Sequence, residues 1–136
     1  MKNSILQKEL TDFLGERFAL SESTRTNYSR GEDIFDPVLS QAVVFPKNND
    51  EISKIVKLCN KFKVPIVPFG TGTSLEGHVL GNKDGITLSL ENMNKIIEIH
   101  HEDFDCRVQA YVTRKQLNEE LKNNGLFFPI DPGADA

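Results

Sequence analysis

Val64-Pro65-Ile66-Val67-Pro68-Phe69-Gly70-Thr71-Gly72-Thr73-Ser74-Leu75-Glu76-Gly77-His78 joins a short apolar run to a loop of small residues. Val64 to Phe69 is β-branched or aromatic apart from two prolines, the composition of a brief buried strand that forgoes two ladder donors. Gly70, Gly72 and Gly77 admit positive φ or close approach of a ligand to the main chain, while Thr71, Thr73 and Ser74 add hydroxyls. Successive exposed main-chain N–H groups in such a loop form a concavity for anions, and a phosphate suits that geometry. Two better-known phosphate loops are excluded by the residues at their required positions. Gly72 to Gly77 has the Walker A interval, but His78-Val79 follows where lysine and a hydroxyl residue are required. A dinucleotide fingerprint needs its third glycine at the position of Leu75 and a long helix behind it, which Gly81, Asn82 and Gly85 interrupt. The competing reading is an ordinary glycine-rich surface turn; glycines and hydroxyls directly behind a strand favour the phosphate.

Upstream of the loop, Gln41 to Phe45 reads as a strand stopped by Pro46. Asn48 is an N-cap, and Glu51 stands three residues on, where a capping box places its carboxylate. Ile52, Ile55, Val56, Cys59 and Phe62 then form one apolar helical stripe, with lysines on the remaining face. The resulting strand–helix–strand path predicts a right-handed crossover and a parallel pair. The glycine-rich loop leaves from the carboxyl end of the second strand, where ligands of open α/β sheets sit. At the start of the chain, Ile5, Leu6, Leu10, Phe13 and Leu14 predict an amphipathic helix ending near Gly15, and Ser21 to Thr24 offer caps for a short helix through Tyr28. Ser29 to Asp36 reads as loop, with Asp33 a turn former.

Downstream, Asn82 to Gly85 is a turn, and Ile86 to Leu90 alternates apolar and polar residues as a half-buried strand does. Ile96 to His100 and Cys106 to Val112 predict a strand pair joined by the acidic loop Glu102 to Asp105. Thr113 caps a helix with Gln116 at the capping-box position, Leu117 and Leu121 on the buried side, and Asn124-Gly125 as terminator. Phe127 to Ile130 begins another strand or extended segment.

The chain has 136 residues, 38% hydrophobic and 26% charged, ordinary globular material for one domain at most. Its net charge of −4, with lysines scattered among acids, argues against nucleic-acid or anionic-membrane partners. No apolar run approaches the ~20 residues of a membrane span, so no transmembrane segment is expected. The first ten residues lack a signal-peptide core and a transit-peptide character, which makes the cytoplasm the expected location. Cys59 and Cys106 form no CxxC pair, so neither a disulfide framework nor a zinc site is expected. His100, His101, Glu102 and Asp103 lie together, but a solvated loop is the favoured reading and no metal is assigned.

The run Pro68 to His78 resembles the pyrophosphate loop of the flavoprotein family of vanillyl-alcohol oxidase and p-cresol methylhydroxylase (PCMH). Within that family it is most similar to the branch of FAD-linked cytochrome-type D-lactate dehydrogenases and glycolate oxidase catalytic subunits. The similarity extends to Arg30-Gly31-Glu32-Asp33, Ala42-Val43-Val44-Phe45-Pro46, Val56 to Asn60, Leu90 to Ile96 and Leu126 to Ala136, nearly the whole chain. It implies an α+β fold: the first subdomain of a PCMH-type FAD-binding domain, strand–helix–strand with a mixed sheet, plus the start of the second. Residues 1–36 would be an amino-terminal helical segment and 37–136 the FAD-binding domain, cut short at its carboxyl end.

By the same resemblance, Gly70, Thr71, Gly72, Thr73, Ser74 and Gly77 would hold the FAD pyrophosphate, with Phe69, Asp131, Pro132 and Gly133 also cofactor-binding; His78 would donate to a phosphate or to the flavin, the competing reading being a structural hydrogen-bonding histidine. Some relatives attach the flavin through a histidine in this loop; the comparable position here is Thr73, so noncovalent FAD is expected. One departure stands out. The family's Val-Gln-Pro-Gly-Val is here Val108-Gln109-Ala110-Tyr111-Val112, and Tyr111 would either displace the main chain from the cofactor or stack on its ring system. The implied activity is oxidation of a small D-2-hydroxy acid, of the D-lactate or glycolate type, with a quinone or cytochrome as acceptor. Substrate selection and catalytic residues are expected in a further, carboxyl-terminal domain. The chain alone is then expected to bind FAD weakly or not at all and to show no turnover. The alternative is a non-catalytic remnant or accessory subunit that keeps the fold for assembly.

Overall fold

A computed structural model describes residues 1–131 and residue 133, which form two units, Met1–Asn92 and Met93–Ala136. In the first unit, Asn3 caps helix α1 (Ser4–Leu14), its side chain accepting the Leu6 N–H at 2.9 Å, and Gly15 at φ +57° ends it. Leu6, Leu10 and Leu14 recur on one face and are buried. A 3₁₀ turn leads to a two-residue strand, β1 (Phe18–Ala19), which carries no periodicity and was not foreseen. Ser21 caps the short helix α2 (Glu22–Asn27).

The sheet of this unit has the order β1, β2 (Val43–Val44), β4 (Ile86–Ser89), β3 (Ile66–Phe69). Strand β1 runs antiparallel to β2, and the other pairings are parallel, so the sheet is mixed. The expected pairing of β2 with β3 is corrected: both are parallel, but β4 lies between them. That placement also explains why β4 is not half-buried. All four of its residues are buried, and the Thr87 hydroxyl is satisfied by Ser40 Oγ at 2.8 Å. Strand β3 is the edge, where Pro68 can sit without breaking a ladder bond on both sides.

Helix α3 (Asn49–Lys61) begins as expected, with the Glu51 N–H donating to Asn48 Oδ1 at 2.9 Å. The reciprocal half of the capping box is absent. Glu51 instead accepts from the Lys47 N–H at 2.8 Å and from Arg17 Nη2 at 2.9 Å, which ties the helix start to the turn after α1. The Arg17 guanidinium holds the Glu51 carboxyl below the usual carboxylate range. Of the predicted stripe, Ile55 and Cys59 are buried while Val56 is 44% exposed, so the inward face is narrower than expected. Leu6, Leu10, Ile55, Cys59, Ile86 and Leu88 share one core. Burying each large side chain contributes ~1.5–3 kcal/mol. Burial also pushes the Cys59 thiol up to about 11.

In the second unit, β5 (Ile96–His100) and β6 (Asp105–Val108) form an antiparallel pair with an irregular register after Ile96. Strand β6 stops four residues short of the expected Val112. Gln109 to Val112 turn instead, with the Tyr111 N–H given to Met93 O at 2.8 Å. Thr113 caps α4 (Arg114–Leu121), which buries Leu117 and Leu121, and Gly125 in the left-handed region follows its last turn. Gln116 does not close a capping box; its amide donates to Asn94 O at 2.8 Å. Phe127 to Ile130 forms no strand. Among the described residues no helix is long and apolar enough to cross a membrane.

Candidate functional site

The loop Gly70 to Val79 leaves the carboxyl end of β3, the edge strand, as expected. Its root is rigid. Phe69 is 7% exposed, and the Tyr28 ring packs edge-on against both Phe69 and Phe45 at centroid distances of 5.1 and 5.5 Å, its hydroxyl bonded to the Glu91 carboxylate. The Leu90 N–H closes the strand end on Phe69 O at 2.9 Å.

Beyond that point the pattern of hydrogen bonding changes. Among the described residues, no main-chain N–H from Gly70 to Val79 donates to a protein oxygen; the next N–H, that of Leu80, goes to Gly77 O at 3.2 Å. A row of N–H groups without protein acceptors is what an anion needs. The side chains reinforce one another rather than the N–H groups. Ser74 Oγ and His78 Nδ1 are hydrogen-bonded at 2.9 Å, and Thr71 Oγ1 lies 3.4 Å from Thr73 Oγ1. Thr71 and His78 are exposed, and Thr73 and Ser74 are half-buried.

The glycines have different causes. Gly72 is buried at φ +79°, with the Phe69 ring 3.0 Å from where its Cβ would stand, so the fold itself demands glycine there. Gly70 is the opposite case: its φ is outside the left-handed region, and an added Cβ meets no protein atom within 4 Å. Nothing among the described residues requires a glycine at 70. A ligand pressed against the loop would require it.

The structure thus places Gly70, Thr71, Gly72, Thr73, Ser74, Gly77 and His78 in one loop of the first unit, with Phe69 at the end of β3 as its root. Asp131 and Gly133 belong to the second unit, where both are exposed, and Pro132 lies outside the described residues. The second unit also holds an apolar cleft of about 400 Å³, whose Phe104, Leu117, Leu121 and Phe127 walls suit no diphosphate. His100 bonds Asp105 at 2.6 Å across the hairpin, which raises its pKa; among the described residues no group of three or more His, Cys, Asp or Glu is placed to hold a metal. Sequence reasoning missed Gly31 and the Glu32 N–H, which donates to Gly72 O at 2.9 Å. The signal was a glycine in Arg30-Gly31-Glu32-Asp33, a stretch otherwise read as turn.

Comparison with family profiles decides the cofactor class: the FAD binding domain profile matches residues 40–136. The chain belongs to this FAD-binding domain family. Among curated proteins, this FAD-binding chain is 42% identical over 121 residues to probable D-lactate dehydrogenase, mitochondrial, of Danio rerio, covering 89% of the chain and 24% of the relative. It is 36% identical over 119 residues to glycolate oxidase subunit GlcD of Bacillus subtilis, covering 88% and 25%. The FAD-binding chain therefore spans about a quarter of the length of these relatives. In fold it matches the crystal structure of p-cresol methylhydroxylase with a TM-score of 0.79 at 23% identity, over 90% of this chain and 25% of that one. The mixed sheet and α+β architecture are those expected of a PCMH-type domain.

The residues present fit FAD. The free N–H row between Gly70 and Val79 matches the charge of a diphosphate, and the open face at Gly70 leaves room for it.

Proposed function

We propose that this chain supplies the FAD diphosphate site of a dehydrogenase that oxidises a small D-2-hydroxy acid to the 2-oxo acid. The observation that carries it is the uninterrupted row of N–H groups from Gly70 to Val79 that find no protein acceptor among the described residues, on a chain of the FAD-binding domain family. Gly70, Thr71, Gly72, Thr73, Ser74 and Gly77 donate or make room along the diphosphate. His78, locked to Ser74, lies at the exit of the loop and adds a ring donor. Phe69 anchors the entry. Asp131, Pro132 and Gly133 are assigned to the same cofactor, within an FAD-binding domain running from residue 37 to 136.

Position 73 is a threonine, which offers no imidazole for covalent attachment, so the cofactor is held noncovalently. When bound, the flavin supplies two-electron acceptor chemistry. The residues of this chain bind and orient it; substrate selection and the acceptor, a quinone or cytochrome, belong to the remainder of a longer enzyme. The names of the relatives, D-lactate dehydrogenase and glycolate oxidase, support the 2-hydroxy-acid class. A cytoplasmic location draws no support from them, since one name carries the word mitochondrial.

A competition titration tests the site. FAD added to the 136-residue chain is expected to bind weakly, to be displaced by ADP, which shares the diphosphate, and to be unaffected by riboflavin, which lacks it. Displacement by riboflavin but not by ADP would overturn the assignment.

A further inference from the structure

The segment from Ser29 to Val38 touches the glycine-rich loop at two points and the chain just beyond it at a third. At the entry, the Glu32 N–H donates to Gly72 O at 2.9 Å. Gly31 lies so close that a Cβ there would stand 2.4 Å from Gly72 O, 2.8 Å from Val79 Cγ2 and 3.0 Å from Ser74 O. In the middle, the Phe35 ring covers Gly77, 2.9 Å from where its Cβ would be. Two residues past the loop, the Gly81 N–H donates at 3.1 Å to Ser29 O, in a residue 1% exposed, which also accepts the Val38 N–H of its own segment at 3.2 Å.

The segment has its own internal brace. Asp33 is 8% exposed, and its carboxylate accepts the Gly31 N–H at 3.1 Å and the Phe35 N–H at 3.0 Å, the two residues that press on Gly72 and Gly77. A buried carboxylate that holds two main-chain donors fixes the curvature of the backbone between them.

We infer that residues 29–38 are a buttress that shapes the phosphate loop before FAD arrives, with Gly31 and Asp33 as positioning residues acting through Gly72 and Gly77. The inference rests on the diphosphate reading above. By taking the Gly72 carbonyl as its acceptor, the Glu32 N–H fixes the peptide plane that also contains the Thr73 N–H, and so aims that donor. A loop already ordered does not give up conformational freedom when it binds. Losing that advantage over even one residue weakens binding by roughly tenfold.

The test uses Gly31→Ala, Asp33→Ala and Asp33→Asn in the 136-residue chain, read by FAD titration, thermal melting and amide resonances of residues 70–79 without ligand. Gly31→Ala and Asp33→Ala are expected to weaken FAD by about tenfold or more and to move the free-state resonances of Gly72 to Gly77, with helical content unchanged. Asp33→Asn, which keeps one carbonyl acceptor, is expected to recover part of the loss. Two results overturn the inference: variants that bind FAD as the parent does, or losses that follow the melting temperature alone with Asp33→Asn no better than Asp33→Ala. Where the parent chain shows no FAD affinity, as the short chain allows, the free-state resonances alone decide: unchanged resonances of Gly72 to Gly77 in Gly31→Ala and Asp33→Ala overturn the inference. Where FAD does bind, failure of ADP to compete with it overturns the diphosphate reading instead.

Discussion

Replacing Gly70 by alanine separates a binding role from a folding role, because the two are predicted to respond in opposite directions. A Cβ at Gly70 meets no protein atom within 4 Å, and its φ lies outside the left-handed region. Alanine at a compatible backbone position restricts the unfolded chain and stabilises by ~0.4–1 kcal/mol. The methyl group would nevertheless stand on the face proposed for the diphosphate, where one surplus methyl in a fitted contact costs ~1–3 kcal/mol. Gly70→Ala is therefore expected to keep or slightly raise the urea midpoint while FAD affinity falls by roughly fivefold to a hundredfold. Gly72→Ala is the contrasting control: at φ +79° and 3.0 Å from the Phe69 ring it is expected to lose ~1–2 kcal/mol of stability without any ligand. Urea titration followed by circular dichroism and flavin-fluorescence titration read the two quantities separately. Undiminished FAD binding by Gly70→Ala, or destabilisation equal to that of Gly72→Ala, would refute the assignment of an open ligand face at residue 70.

Glu51→Gln should cost ~1–3 kcal/mol at pH 7, because a charge-assisted pair with Arg17 is lost from a site where the two side chains are 25% and 17% exposed. Since the folded pKa of Glu51 is lowered, its contribution is present above the unfolded carboxylate range and is lost as pH falls through the folded value. The penalty of Glu51→Gln is accordingly expected to shrink toward zero in urea titrations below about pH 4. Leu10→Ala empties a fully buried position that packs with α3 and β4 and should cost ~2–5 kcal/mol by the same assay. A thiol reagent at pH 8 should label half-buried Cys106 in the native chain and reach Cys59 only after urea is added, since Cys59 is 1% exposed and its thiol is pushed up to about 11.

What could be read from the sequence was local. Asn48 with Glu51 three residues on located the start of α3, and Phe69 followed by glycines and hydroxyls located the loop, because caps and φ constraints act over a few residues. The insertion of β4 between β2 and β3 was not legible, since strand order is settled by pairing across long stretches of chain. Thr87 and Ser89 misled for a related reason. Their hydroxyls read as a solvent face, whereas Thr87 is buried against Ser40, a partner on a separate segment. Gly31 was visible as a residue but not as a contact, because its reason for being glycine is the carbonyl of Gly72, far along the chain. Phe18–Ala19 is too short to carry any period.

The claim that main-chain donors of one loop grip the diphosphate is met most directly by an amide spectrum. The uniformly ¹⁵N-labelled chain, titrated with FAD into the millimolar range, should show its largest N–H shifts within Gly70 to Val79, and ADP should reproduce them. Shifts confined to other segments, or shifts within Gly70 to Val79 that ADP fails to reproduce, would contradict it.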